Sequence, residues 1–85
     1  MVSEEIGGQT RRCLENVRAL LEAAGFEPAD VVKTTVYMTD LGLFANMNEV
    51  YAGFFQPPYP ARATVEVSAL PKGALVEIEA SAYKP

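Results

Sequence analysis

Apolar side chains at Cys13, Leu14, Val17, Leu20, Leu21 and Ala24 form a stripe through residues 5–24, the spacing of a 3.6-residue helix that lays one face on a core. Gly25 stands just past that stripe and Pro28 follows, so the pattern predicts a left-handed glycine terminator with no resumption of the helix. Residues 31–38 are rich in β-branched side chains and predict a strand, with Val32, Val36 and Met38 on one face and Thr34 between them. Asp40 then offers an N-cap. Phe44, Met47, Tyr51 and Phe54 recur at helical spacing behind it, predicting a second amphipathic helix over about residues 41–55.

The run Gln56-Pro57-Pro58-Tyr59-Pro60 ends that helix and reads as a loop, because proline supplies no amide to a helix or a central strand. Beyond it the period changes from 3.6 to 2. Ala61, Ala63, Val65 and Val67 alternate with Arg62, Thr64, Glu66 and Ser68, and Val76, Ile78, Ala80 and Ala82 alternate with Glu77, Glu79, Ser81 and Tyr83. Two alternating runs joined through Leu70-Pro71-Lys72-Gly73 predict an antiparallel hairpin, with Arg62, Thr64, Glu66, Glu77 and Glu79 together on its polar face. The order helix, strand, helix, strand, strand predicts an α+β fold in which two helices cover one face of a sheet.

At 85 residues the chain makes one domain, residues 1–85, and a domain this size buries about 60 to 65% of its unfolded surface, so neighbouring subunits would add to a modest stability. Seven basic and eleven acidic residues leave a net charge of −4, and Arg11, Arg12 and Arg18 are interleaved with Glu15 and Glu22. That balance repels a phosphate backbone, so no nucleic acid is expected as a partner. No apolar run approaches the ~20 residues a bilayer requires, so no membrane partner is expected either, and Met1-Val2-Ser3-Glu4-Glu5 is the reverse of a basic signal-peptide head. A single cysteine excludes an internal disulfide and fits a reducing compartment; the expected location is cytoplasmic.

Histidine is absent, which excludes His-based triads, imidazole-ligated zinc and His general bases, and one cysteine makes no thiolate cluster. Cys13 falls on the apolar stripe of the first helix and reads as a buried, inert thiol. Gly7-Gly8 before a helix would suit an anion at the helix start, but lacks the spacing of a P-loop or a dinucleotide fingerprint. Arg62 carries the most chemistry. Its rigid fork of donors suits a carboxylate, which points to a small organic acid as ligand, while a cross-strand salt bridge is the alternative that the residues alone leave open. Asn48 flanks the apolar stripe of the second helix, where a helix-surface hydrogen bond competes with ligand contact. Tyr51, Tyr59 and Tyr83 read as core or interface aromatics with paired hydroxyls.

Several runs, in this order, closely resemble the RidA/YjgF family over nearly the whole chain: Gln9-Thr10, Cys13-Leu14-Glu15-Asn16-Val17, Leu21-Glu22-Ala23-Ala24-Gly25, Val31-Val32-Lys33-Thr34-Thr35-Val36-Tyr37, Asn48-Glu49-Val50-Tyr51, Pro60-Ala61-Arg62, Leu70-Pro71-Lys72-Gly73 and Glu77-Ile78-Glu79-Ala80. The resemblance implies a chorismate-mutase-like α+β fold assembling as a homotrimer, with ligand pockets in clefts between subunits. It also implies hydrolysis of reactive enamine or imine 2-imino acids to 2-keto acids and ammonia, as by a 2-iminobutanoate/2-iminopropanoate deaminase, with no metal and no organic cofactor. In that picture Arg62 grips the substrate carboxylate, Glu77 orients or deprotonates the attacking water, and Asn48 lines the cleft. Thr64 stands where many members have cysteine and offers its backbone amide.

By the same resemblance the chain corresponds to the C-terminal two thirds of the family fold, the opening strands being absent. The expectation that follows is an unpaired sheet edge, with strong association or insolubility of the chain alone and reduced activity. A non-catalytic trimeric protein that binds or senses keto acids in the same clefts is the alternative function. An RNA-cleaving protein and the terminal module of a longer enzyme are further readings.

Overall fold

Leu14, Val17 and Leu21 form the buried side of helix α1 (Val2–Ala23), and Ile6 and Thr10 continue it toward the N-terminus, both fully inaccessible. The computed structural model describes residues 2–85, with side chains from Glu5 onward. Leu20 lies on the flank of the stripe and is 72% exposed, so it does not belong to the core. Gly7 and Gly8 lie inside α1 rather than before it, so they precede no helix start and the anion-site reading falls. The helix ends as its glycine predicts. Gly25 takes a φ of 85°, the Phe26 amide donates to the Leu21 carbonyl at 2.7 Å and the Gly25 amide to Glu22 at 3.1 Å, the paired bonds of a Schellman cap.

Strand β1 (Val31–Met38) is the centre of a three-stranded sheet, between β2 (Ala61–Glu66) and β3 (Val76–Ala82). The expected β2–β3 hairpin is not formed. β1 pairs with β2 in parallel, Thr34 opposite Arg62 and Val36 opposite Thr64, and with β3 in antiparallel, Val36 opposite Ile78 and Tyr37 opposite Glu77. The physical reason lies in the strands themselves. Val36 and Met38 are fully inaccessible, whereas β2 has no buried residue, so the central place goes to the strand with most apolar surface to hide. The connection through residues 67–75 is long enough to cross one strand, and it contains its own helical turn, Pro71–Gly73.

This order divides the predicted polar face in two, because side chains of register partners share a face. Arg62, Thr64 and Glu66 stand with Thr34, Val36 and Met38 on the helix side, while Glu77 and Glu79 stand with Tyr37 and Thr35 on the open side. A register shift between Val31 and Lys33 also turns Val32 outward, 52% exposed, and lets Val31 take the core position expected of Val32.

Asp40 caps as predicted, its Oδ1 accepting from the Gly42 amide at 2.8 Å, but the element it opens is a 3-10 turn, Leu41–Leu43. Helix α2 proper is shorter than its apolar pattern implies, Phe44–Tyr51. It and α1 cover the sheet face that carries Thr34, Val36 and Met38, with Met47 and Tyr51 buried between layers and Phe55 closing the core just beyond the helix. Burial of a side chain such as Met38 or Met47 contributes about 1.5–3 kcal/mol.

Candidate functional site

Parallel register with β1 brings Arg62 to the edge of the sheet beside α2, and the helical repeat decides what it meets there. Phe44, Asn48 and Tyr51 follow one another at i, i+4 and i+7, one stripe of α2. All three touch the guanidinium. Arg62 Nη1 donates to Asn48 Oδ1 at 2.5 Å, and the guanidinium carbon lies 5.1 Å from the centre of the Phe44 ring and 4.8 Å from that of Tyr51. A cation over an aromatic face at such distances gains about 0.5–1 kcal/mol when solvent-exposed. Tyr51 is itself fixed from behind: its hydroxyl and that of Thr34, the register partner of Arg62, are 2.6 Å apart and buried.

Beside the guanidinium is a cavity of about 320 Å³, lined by Arg62, Asn48, Tyr51, Phe55, Tyr59 and Pro60. That volume lies at the small end of the range for organic ligands. The wall sets the arginine and the Asn48 amide among the side chains of Tyr51, Phe55, Tyr59 and Pro60, so the site combines one fixed positive charge with room for a short carbon skeleton. Arg62 takes part in none of the ion pairs among the described residues, so the alternative of a cross-strand salt bridge is not realised there. Glu66, on the same sheet face, accepts from the Leu41 amide at 2.8 Å and ties the 3-10 turn to β2.

The other residues singled out by sequence are placed as follows. Asn48 joins Arg62 directly. Thr64 is half-buried next along the same face, and its Oγ1 is buried with no hydrogen-bond partner. Glu77 is exposed on the opposite face, opposite Tyr37, and the geometry of one chain does not bring it to Arg62. Neighbouring Glu79 accepts from the Tyr37 hydroxyl at 3.4 Å and pushes its pKa upward. Tyr59 and Tyr83 are each 66% exposed, outside the core of the chain. Cys13 is half-buried, donates to the Val76 carbonyl at 3.6 Å, and has its thiol pushed up chiefly by burial. Phe44 and Tyr51 are the site residues that sequence reasoning missed. Their signal was the shared stripe with Asn48, which an aromatic on a helix facing a core conceals.

Among the described residues no group of three acidic, histidine or cysteine side chains is placed to hold a metal, and no helix is long and apolar enough to cross a membrane.

Two helices on one face of a mixed three-stranded sheet, with an aromatic-backed arginine at the sheet edge beside α2, define a small α+β domain with a pocket suited to an organic anion. The family described as Endoribonuclease L-PSP matches residues 1–84. A RutC family protein of Pyrococcus horikoshii is 57% identical over 84 residues, which cover 99% of this chain and 67% of that protein. The 2-iminobutanoate/2-iminopropanoate deaminase of Salmonella typhimurium is 48% identical over 86 residues, 98% of this chain and 67% of that enzyme. In three dimensions the chain is similar to the crystal structure of RidA from the Antarctic bacterium Psychrobacter, with a TM-score of 0.85 and 51% identity over 88% of this chain and 61% of that one. The chain belongs to the RidA/YjgF family, and spans about two thirds of the length of the relatives it matches.

Proposed function

We propose that the protein hydrolyses short 2-imino acids to 2-keto acids and ammonia, with Arg62 as the carboxylate anchor. The observation that carries this reading is the guanidinium held between Phe44 and Tyr51, bonded to Asn48 and turned to a small, largely apolar cavity. The names of relatives at 45–48% identity support the same chemistry. A protonated imine is already electrophilic. Clamping the acid and placing water beside C2 therefore supplies orientation, much of what the step requires. Water adds to C2 and the C=N electron pair goes to nitrogen; the C–N bond of the resulting carbinolamine then breaks, ammonia leaves and the keto group forms. Thr64 contributes its backbone amide to the carboxylate site.

Glu77 is assigned to orient and deprotonate the water. It stands on the far face of its own sheet, so on this reading it serves the cleft of a neighbouring copy, in keeping with a homotrimer whose pockets lie between subunits. One observation favours a second reading, a protein that binds keto acids without turning them over: among the described residues no carboxylate lines the Arg62 cavity. The test is to generate 2-iminobutanoate in place and follow 2-ketobutyrate. Faster release with protein present supports the enzyme; saturable 2-ketobutyrate binding with no acceleration supports the binding protein.

A further inference from the structure

We infer that Tyr51 and Phe44 are positioning residues: together they fix the plane of the Arg62 guanidinium, and the Thr34 hydroxyl sets the height of the Tyr51 ring beneath it. The inference rests on the reading of Arg62 as the carboxylate anchor. An arginine on an edge strand ordinarily samples many rotamers, and binding must then order it at a cost in affinity. Here that ordering precedes the ligand. Two ring faces lie 4.8 Å and 5.1 Å from the guanidinium carbon, and Asn48 Oδ1 accepts from one of its amino groups. The rings restrict tilt and Asn48 restricts rotation within the plane, so the same remaining donors are offered to each incoming carboxylate.

The anchoring extends inward through a chain of contacts. Tyr51 is buried, 7% exposed, and its hydroxyl meets that of Thr34, which is 1% exposed and sits opposite Arg62 in the β1–β2 ladder. Strand, helix and arginine therefore close a loop: Thr34 to Tyr51 by hydrogen bond, Tyr51 to Arg62 by cation–π contact, and Arg62 back to Thr34 by register. A slip of α2 against the sheet would break the hydrogen bond and tilt the guanidinium together. The ring faces act through Arg62 and not on the reacting atoms.

The experiment compares the full chain with Tyr51→Leu, Phe44→Leu and Tyr51→Phe by two readouts: the order of the Arg62 Nε–H vector from nitrogen-15 relaxation, and the Kd for 2-ketobutyrate. Expected is an ordered Nε–H in the parent that becomes mobile in Tyr51→Leu and Phe44→Leu, with about two- to ten-fold weaker binding, the cost of ordering one long side chain on binding. Tyr51→Phe, which keeps the ring and loses the Thr34 contact, falls between. Unchanged Arg62 order in both leucine variants overturns the inference, and Phe44 keeps the test open if Tyr51→Leu fails to fold. Tyr51→Phe indistinguishable from parent overturns the role of Thr34. A parent that shows the ordered arginine and its loss in the variants, yet binds no 2-keto acid, overturns the carboxylate-anchor reading and leaves the positioning intact.

Discussion

Arg62 and Glu77 stand on opposite faces of one sheet, Arg62 opposite Thr34 on the helix side and Glu77 opposite Tyr37 on the open side. Side chains so divided cannot share a ligand within one chain. If both act in one reaction, the cleft that holds them is built from two copies.

Complementation tests that arrangement. Alone, Arg62→Ala is expected to lose about 30-fold or more and Glu77→Gln about 100-fold or more in the hydrolysis of 2-iminobutanoate. Refolded together in equal amounts, they should regain about a quarter of the parent rate, the statistical share of interfaces that pair an intact arginine with an intact glutamate. Mixtures no more active than the separate variants would show that each site takes both groups from one chain.

Thr64 offers a stability test. Its hydroxyl is buried and has no hydrogen-bond partner, and an unsatisfied buried polar group costs about 1–3 kcal/mol. Thr64→Val exchanges that hydroxyl for a methyl of similar size. The expected result is a gain of about 1 kcal/mol, seen as a higher urea midpoint at unchanged slope. A loss would mean that the hydroxyl is paired in the folded protein.

Much of the fold was legible because it is local. The α1 stripe of Leu14, Val17 and Leu21, the stop at Gly25, the extent of β1 and the cap at Asp40 each depend on neighbours within a few residues, and each is found. Sheet order was not legible. Alternation in residues 61–66 and 76–82 tells which side chains share a face of one strand, but not which strand lies alongside, and the insertion of β1 between them reversed the relation of Arg62 to Glu77. Val32 was misplaced because a bulge has no periodic signature. At the site, Arg62 and Asn48 stood out by their chemistry, whereas Phe44 and Tyr51 resembled any other aromatics facing a core.

Cys13 predicts a pH dependence of stability. Burial raises its thiol above the usual 9.0, against partial opposition from the Ile78 amide and Arg12. An acid whose folded pKa is raised holds its proton longer when folded than when unfolded, so its contribution is complete below the unfolded value and is lost as pH rises through the folded one. The parent is therefore expected to lose stability more steeply than Cys13→Ala above about pH 9, followed by thermal melts over pH 7 to 10.5. Parallel curves for the two proteins would show that the thiol titrates alike in both states.

The central claim is that Arg62 holds the substrate by its carboxylate, and the direct measurement is kcat/KM for freshly generated 2-iminobutanoate with the parent and with Arg62→Ala. Removal of one partner from a hydrogen-bonded charge pair costs about 2–5 kcal/mol, so the account predicts a fall of about 30-fold or more. Equal values for the two proteins would contradict it.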